Sequence, residues 1–163
     1  MVPRPYAFRA MPTADLPQIR RWLAAPHVAQ WWGDPDEQFV LVSEDFGHPA
    51  MQQYVVELSD RPLAYIQCYD PAAWPDHGFG ALRKGARGID QFIGESDMID
   101  RGHGSAFIRV FVDDLLQAGT PQVLTDPNPG NTRAVRAYEK AGFHRDRRVH
   151  TPDGSALLMV RQQ

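Results

Sequence analysis

The stretch from Thr125 to Phe143 constrains this chain more than any other part of it. An apolar strand end is followed by a proline-stiffened loop, and Asn131 then stands directly ahead of a run with helical spacing. Asn is a favoured N-cap residue, and Gly142 follows the run where a left-handed residue commonly ends a helix. The stretch therefore predicts a strand (122–125), a loop, a helix (131–141) capped at both ends, and a new strand (143–150).

A second constraint is the turn from Arg101 to Ala106, which lies between a predicted strand (88–94) and a helix predicted from Ser105 to about Gly119. Glycines let an anion approach the backbone closely, and the N–H groups at a helix start carry partial positive charge. A plain turn into a helix is the alternative interpretation of so short a pattern. The residues that would bind a pyrophosphate here are Arg101, Gly102, His103, Gly104, Ser105 and Ala106.

Tyr138 lies seven residues after Asn131, about two helical turns, so both residues are expected on one face of that helix. A phenol with a pKa near 10 can protonate a departing thiolate whose thiol has a pKa of about 8.5. Packing in the core is the alternative for a helix aromatic. The flanking sequence favours the catalytic interpretation.

Composition narrows the function classes. The 163 residues fit one domain, and 17 Lys+Arg against 20 Asp+Glu give a net charge of -3, which argues against nucleic acid or anionic lipid as a partner. The longest apolar runs fall far short of the roughly 18 residues of a membrane span. The N-terminus lacks a secretory stretch, so a cytoplasmic protein is expected. The six histidines show no ligand spacing, so no metal is expected, and Cys68 is expected to be buried packing.

The remaining elements follow from periodicity and turn chemistry. The segment 34–46 is predicted as a helix, although Phe39 to Val42 would also suit a strand. The other predictions are a strand (6–11), helices (15–23 and 28–32), a hairpin (54–58 and 63–69, with its turn at 59–62), a surface loop (70–87) and a closing strand (156–160).

These motifs together resemble the GCN5-related N-acetyltransferase (GNAT) superfamily. In that superfamily a pyrophosphate-binding turn follows the fourth strand, and a tyrosine on a later helix faces the acetyl-CoA sulfur. More narrowly, the chain is similar to the aminoglycoside 6'-N-acetyltransferases. The segments that carry this similarity are Val28–Gly33, Arg87–Gln91, Thr125–Phe143 and Thr151–Gly154 with Met159 and Val160 behind it.

The resemblance implies a single α/β domain (1–163) with a mixed, mostly antiparallel central sheet flanked by helices on both faces. It implies acetyl transfer from acetyl-CoA to a primary amine by direct attack in a ternary complex, in a monomer or homodimer. The backbone of Phe92 and Ile93 would hold the pantetheine arm and the thioester carbonyl. Asn131 would touch the pantetheine region, and Tyr138 would protonate the thiolate.

By the same resemblance Asp90, Asp126 and Asp153 match carboxylates of the substrate site, and Asp90 is the one usually given a catalytic role. An aspartate with a pKa near 4 is a poor proton acceptor from an ammonium group. We therefore expect Asp90 to orient the amine, stabilise its charge and relay its proton through water; a solvated aspartate is the alternative. Of the pair Trp31 and Trp32, one is expected to be buried and one, Trp32, to lie in the substrate cleft.

The loop 70–87 departs from the aminoglycoside pattern. Asp76 is its candidate substrate carboxylate, but Arg83, Lys84 and Arg87 follow it. Basic side chains that line the pocket would weaken binding of a cationic substrate, whereas basic side chains in solvent would matter little. Two alternatives therefore stay open: an acetyltransferase for another amine (a polyamine, a siderophore precursor or a protein N-terminus), and a non-catalytic acyl-CoA-binding module.

Overall fold

The computed structural model describes residues 5–163, which form seven strands and five α-helices. The strands are β1 (Tyr6–Ala10), β2 (Met51–Leu58), β3 (Arg61–Tyr69), β4 (Arg87–Ile93), β5 (Gln122–Thr125), β6 (His144–Thr151) and β7 (Gly154–Gln162). The helices are α1 (Leu16–Leu23), α2 (Pro26–Trp32), α3 (Pro35–Asp45), α4 (His103–Gln117) and α5 (Thr132–Lys140), with short 3-10 turns at Thr13–Asp15, Pro71–Ala73 and Ser96–Met98. No helix within this range has the length and apolar character of a membrane span.

The strands form one sheet in the order β1-β2-β3-β4-β5-β7-β6. β4 and β5 pair in parallel, whereas β1 with β2, β5 with β7, and β6 with β7 pair antiparallel. The predicted α/β class with a mixed, mostly antiparallel sheet is confirmed. Contacts divide the chain into two compact units: a first unit of the chain up to Gln67 together with Gln91–Arg101, and a second unit of Cys68–Asp90 and Gly102–Gln163.

The first unit has an aromatic core. Tyr65 of β3 stacks on Phe92 of β4 with ring centroids 5.4 Å apart, and Trp32 of α2 meets Phe92 edge-on at 5.0 Å. Helix α1 packs against α3 and buries Ile19 and Leu23 completely or nearly so. Aromatic pairs of this geometry add to the burial of apolar area, so they fix the end of β4.

In the second unit β5 is the central strand, since β4 and β7 pair on either side of it. Helix α4 packs against α5, and the β6–β7 hairpin buries Val149, Ala156 and Leu158 in a small core with Leu124. β5 therefore carries its C-terminal end into a position flanked by two other strands.

Several predicted boundaries shift by a few residues, and the one segment that was ambiguous is resolved. The segment 34–46 is helical, as predicted, because Pro35 starts α3 and Asp34 Oδ1 accepts a hydrogen bond from Glu37 N. The predicted hairpin turn 59–62 was too long: Ser59 and Asp60 alone have positive φ (48° and 67°), as two-residue turns require, and β3 starts at Arg61. Helix α4 begins at His103 and not near Ser105, because Gly102 is its N-terminal cap.

Candidate active site

Asp90 of β4 and Asp126, directly after β5, lie opposite each other. The parallel register pairs Gly88 with Leu124, and Thr125 Oγ1 donates a hydrogen bond to the Ile89 carbonyl at 3.0 Å. Continuing this register sets Asp126, directly after β5, opposite Asp90. Residues opposite each other in neighbouring strands project to the same face and lie about 4.8 Å apart in the hydrogen-bonding direction. The fold thus brings two of the predicted carboxylates side by side.

Tyr69, at the end of β3, covers the same face. A Cβ built on Gly88 would lie 2.3 Å from Tyr69 Cζ and 2.6 Å from its hydroxyl oxygen. Because Gly88 and Asp90 are two residues apart in β4, they share a face, so the phenol stands beside Asp90. The pKa of Tyr69 is raised well above 10 by burial first and then by the negative charges of Asp90 and Asp126. The ring of Trp74 packs edge-on against the ring of Tyr69, with ring centroids 5.7 Å apart.

Asp126 has a strongly raised pKa. Burial, then the charge of Asp90, then that of Asp153, raise its pKa to about 8. Asp153 lies in the exposed β6–β7 turn, where its N–H donates to Thr151 Oγ1 at 3.1 Å. The three predicted substrate carboxylates are therefore close enough to interact, and Asp126 interacts with both of the others.

Tyr138 lies on α5 and is buried, with 3% of its surface exposed. Its ring meets Phe143 edge-on at 5.5 Å, and its phenol adds to the rise in the pKa of Tyr69, so it faces the same cluster. Asn131 caps α5, since its Oδ1 accepts a hydrogen bond from Ala134 N at 3.2 Å. The predicted helix and its cap are therefore confirmed, and one oxygen of Asn131 is engaged within the protein.

The start of α4 suits an anion. Gly102 has φ of 82°, a conformation that favours glycine, and no acidic residue lies in the first turn. The first backbone hydrogen bond of the helix is donated by Ala106 N to the Gly102 carbonyl at 3.2 Å. The preceding N–H groups of the first turn have no partner within the helix, so they point out of its N-terminal end. Ser105 Oγ also donates to the Gly102 carbonyl at 3.2 Å. Helix geometry thus presents backbone N–H groups at His103, Gly104 and Ser105.

Comparison with known proteins identifies the family. Residues 11–151 match the family model of the acetyltransferase (GNAT) domain. The aminoglycoside N(6')-acetyltransferase type 1 of Klebsiella pneumoniae is 34% identical over 161 residues, which cover 93% of this chain and 80% of that protein. The chain belongs to the GNAT acetyltransferases.

Two further comparisons agree with the predicted resemblance and confirm it. The kanamycin resistance protein of Rhizobium radiobacter is 44% identical over 77 residues, covering 47% of this chain and 71% of that protein. The structure of AAC(6')-Ib in complex with paromomycin and acetyl-CoA superposes with a TM-score of 0.88 at 32% identity, covering 97% of this chain and 93% of that one. This GNAT chain thus shares its whole fold with aminoglycoside-modifying relatives.

The residues predicted to hold the pantetheine arm, Phe92 and Ile93, lie at the C-terminal end of β4. The Phe92 side chain is buried, and His27 Nε2 donates to the Ile93 carbonyl at 2.8 Å. Trp31 and Trp32 are both half-buried, so the expectation that one of the pair is buried is wrong. Trp32 packs edge-on against the first unit's aromatic core; the buried indole is Trp22.

Arg83 and Lys84 of the 70–87 loop are held away from the carboxylates. Arg83 Nη1 donates to the Pro121 carbonyl at 3.3 Å, ahead of β5, and Arg83 and Lys84 both line a cavity of about 340 Å³. Asp126 lies five residues beyond Pro121 along an extended chain, roughly 16 Å, which exceeds the screening length of about 8 Å at physiological salt. Arg87 is different, because its Nε donates to Cys68 Sγ at 3.5 Å and the charge of Asp90 acts on the same thiol. The departure from the aminoglycoside pattern therefore does not place Arg83 or Lys84 among the carboxylates.

The course of the same loop is fixed against β6. Arg147 donates to the Phe79 carbonyl, and Gly78, with φ of 82°, lies so close to β6 that a Cβ there would come within 1.9 Å of the His150 carbonyl oxygen. Asp76 is exposed on this loop. The backbone is therefore anchored while the side chain of Asp76 faces solvent.

Two residues of the cluster, Tyr69 and Gly88, were missed by the sequence predictions. The available signal was Gly88 itself, since a glycine inside a strand often marks close approach of another group. Nothing in the sequence indicated that the group is a phenol from the neighbouring β3. Among residues 5–163 no group of three or more His, Cys, Asp or Glu is arranged to hold a metal ion.

Proposed function

We propose that this chain transfers the acetyl group of acetyl-CoA to the 6'-amine of an aminoglycoside, as one acetyltransferase domain spanning residues 1–163. The observation that carries the proposal is the row of three carboxylates, Asp90, Asp126 and Asp153, which interact in the second unit. A site of concentrated negative charge favours a polycationic substrate. The names of the relatives, an aminoglycoside N(6')-acetyltransferase and a kanamycin resistance protein, support the same substrate class.

The start of α4 fits the pyrophosphate of acetyl-CoA. Its glycine cap, its outward amides and the absence of an acidic residue in its first turn suit a dianion. Residues Gly102 to Ala106, with Arg101 before them, are proposed to bind this group. The backbone of Phe92 and Ile93 is proposed to hold the pantetheine arm, and Asn131 to approach it. The thioester supplies the activated acetyl carbonyl.

The remaining site residues are proposed to orient the substrate and to protonate the departing thiolate. Asp90, Asp126 and Asp153 are proposed to hold the ammonium groups of the substrate, with Asp76 and Trp32 as further contacts. Tyr138 is proposed to give its phenolic proton to the departing thiolate. Most of the rate enhancement would then come from positioning the amine against the thioester.

The test is release of free coenzyme A thiol by the purified chain with acetyl-CoA and kanamycin. The matched control is an aminoglycoside that carries a hydroxyl group in place of the 6'-amine. Rapid release with kanamycin alone, and an acetyl group located on the 6' nitrogen by NMR, are expected. Release with both compounds, or with neither, would overturn the proposal.

A second candidate is acetylation of another amine, because the 70–87 loop departs from the aminoglycoside pattern. A panel of polyamines, hydroxamate-precursor amines and peptides with free N-termini, run in the same assay, separates the two. Binding of acetyl-CoA without turnover on any amine would indicate a non-catalytic acyl-CoA-binding module.

A further inference from the structure

Asp126 is the middle member of the three carboxylates, because it interacts with both of the others. β5 lies between β4 and β7 in the sheet, so Asp126 at the end of β5 has Asp90 of β4 beside it. Asp153 lies further along, in the turn that leads into β7, and its charge also acts on Asp126. Two like charges therefore act on Asp126, and they favour a bound proton there.

Asp126 cannot relax away from its neighbours. On the preceding residue, Thr125 Oγ1 donates to the Ile89 carbonyl of β4 at 3.0 Å. On the following residue, the Pro127 carbonyl accepts from Leu157 N of β7 at 2.9 Å. Both bonds tie the short segment to the strands that carry the flanking charges, so the crowding of the carboxylates is built into the sheet.

Two phenols and a thiol also belong to the surroundings of these carboxylates. Tyr69 of β3 faces both Asp90 and Asp126, and Tyr138 of α5 faces Tyr69. Arg87 of β4 donates to Cys68 Sγ, and the charges of both Arg87 and Asp90 act on that thiol. Asp126 itself is buried, and burial is the largest cause of its raised pKa, so its environment favours an uncharged carboxyl in the free protein.

We propose that Asp126, the middle carboxylate, accepts the proton that the amine loses, and that Asp90 binds the ammonium group without taking its proton. The inference rests on the function proposed above and deepens it. It differs from the expectation from the family resemblance, which gives the catalytic role to Asp90.

The proton affinities fit this assignment. An alkylammonium with a pKa near 10 lies about six pKa units above an ordinary aspartate, so transfer to such a carboxylate is strongly uphill. The pKa of Asp126 is raised to about 8 by burial and by Asp90 and Asp153, which leaves a gap of about two units. A general base works best when its pKa lies near the operating pH, and a pKa of about 8 meets this condition better than one near 4.

The protons balance across the reaction. Binding of the ammonium first displaces to solvent the proton that Asp126 carries in the free protein. The ammonium then gives one proton to a carboxylate oxygen of Asp126, and the nitrogen lone pair attacks the thioester carbonyl carbon. As the C–S bond breaks, the thiolate takes a proton from Tyr138, and the nitrogen loses a second proton that restores the phenol. Asp126 is left protonated as in the free protein, so one amide and one thiol are formed, and one proton is released in all.

The test compares wild type, Asp126→Asn and Asp90→Asn, with the exposed Glu44→Gln of α3 as control. Kinetic constants are measured from pH 6 to pH 10 with kanamycin or, should the wild type acetylate a different amine, with that amine. This choice separates failure of the proposed substrate from failure of the inference. Asp126→Asn is expected to lower kcat at least about 100-fold and to remove one ionisation from the kcat/KM profile. Asp90→Asn is expected to raise KM and to keep that ionisation, moved to lower pH because a like charge beside Asp126 is gone.

Calorimetry gives a readout independent of turnover. With the protein saturated by coenzyme A at pH 7, binding of the amine in buffers of different ionisation enthalpy reports the protons released. Wild type is expected to release about one proton more than Asp126→Asn, because the complex shares a single proton between the amine and Asp126. Equal proton release in the two proteins, or an ionisation lost in Asp90→Asn and kept in Asp126→Asn, would overturn the proposal.

Discussion

The ring of Tyr69 occupies the space that a side chain at Gly88 would need, since a Cβ there would stand 2.3 Å from its Cζ. Gly88→Ala is therefore expected to lower the free energy of unfolding by roughly 1–3 kcal/mol, the usual cost of overpacking. Urea denaturation measures this change. In the background of Tyr69→Ala the same substitution should cost much less, because the ring is gone; additive effects of the two substitutions would contradict the relationship.

Tyr138→Phe keeps the ring that packs on Phe143 and removes only the hydroxyl. We expect stability to change by less than about 1 kcal/mol and the dissociation constant of acetyl-CoA by less than about twofold, while kcat falls about 100-fold through loss of the general acid. Steady-state kinetics and calorimetric titration check this. Turnover equal to wild type would remove the general-acid role from Tyr138.

Asn131 caps α5 and is also proposed to contact coenzyme A, and substitution can separate these two roles. Asn131→Ala removes the cap of α5 and should cost about 1 kcal/mol of stability, whereas Asn131→Ser keeps a capping oxygen and should cost far less. If Asn131 also contacts coenzyme A, both variants should bind it more weakly, including the stable one. Normal affinity in Asn131→Ser would leave the residue with capping alone.

The raised pKa of Asp126 has a stability consequence of definite sign. Between the unfolded value near 3.9 and the folded value of about 8, the folded protein binds the extra proton, so this group makes stability fall as pH rises. Asp126→Asn should therefore be more stable than wild type by an amount that grows from pH 5 to pH 8. Urea denaturation at several pH values tests this, with the exposed Asp76→Asn as control; a gain that shrinks with pH would contradict it.

The basic loop should have little influence on a cationic substrate. Arg83 Nη1 donates a hydrogen bond to the Pro121 carbonyl. Pro121 lies roughly 16 Å of extended chain from Asp126. The double substitution Arg83→Gln and Lys84→Gln is accordingly expected to change the KM for kanamycin less than about twofold at 0.15 M salt. A KM lowered tenfold would show that these cations do oppose substrate binding.

The fold was largely predictable because its signals are local. The spacing and caps around α5 and the apolar run of β5 need no tertiary information, and both elements lie where the sequence predicted them within a residue. The start of α4 was misplaced by two residues because a left-handed Gly102 and a helical Gly104 look alike in sequence.

The carboxylates named from the sequence do lie close enough to interact, but their electrostatics could not be predicted. Asp90, Asp126 and Asp153 were named from a resemblance, yet their ranking depends on which strand lies in the middle of the sheet, a non-local fact. The raised pKa of Asp126 follows first from its burial and then from the charges of Asp90 and Asp153, and these depend on the tertiary fold, as does the presence of Tyr69. Sequence reasoning assigned an ordinary aspartate pKa to Asp90 and for that reason gave it an indirect role.

Gly78 presses the β3–β4 loop against His150 and Arg147 holds the neighbouring carbonyl, so the path of that loop is set by main-chain contacts. Exposed positions along it, such as Asp76 and Lys84, can consequently be exchanged during evolution without rerouting the chain. A scaffold of this kind lets selection retune the surface of the loop one side chain at a time, while the backbone that carries it keeps its course.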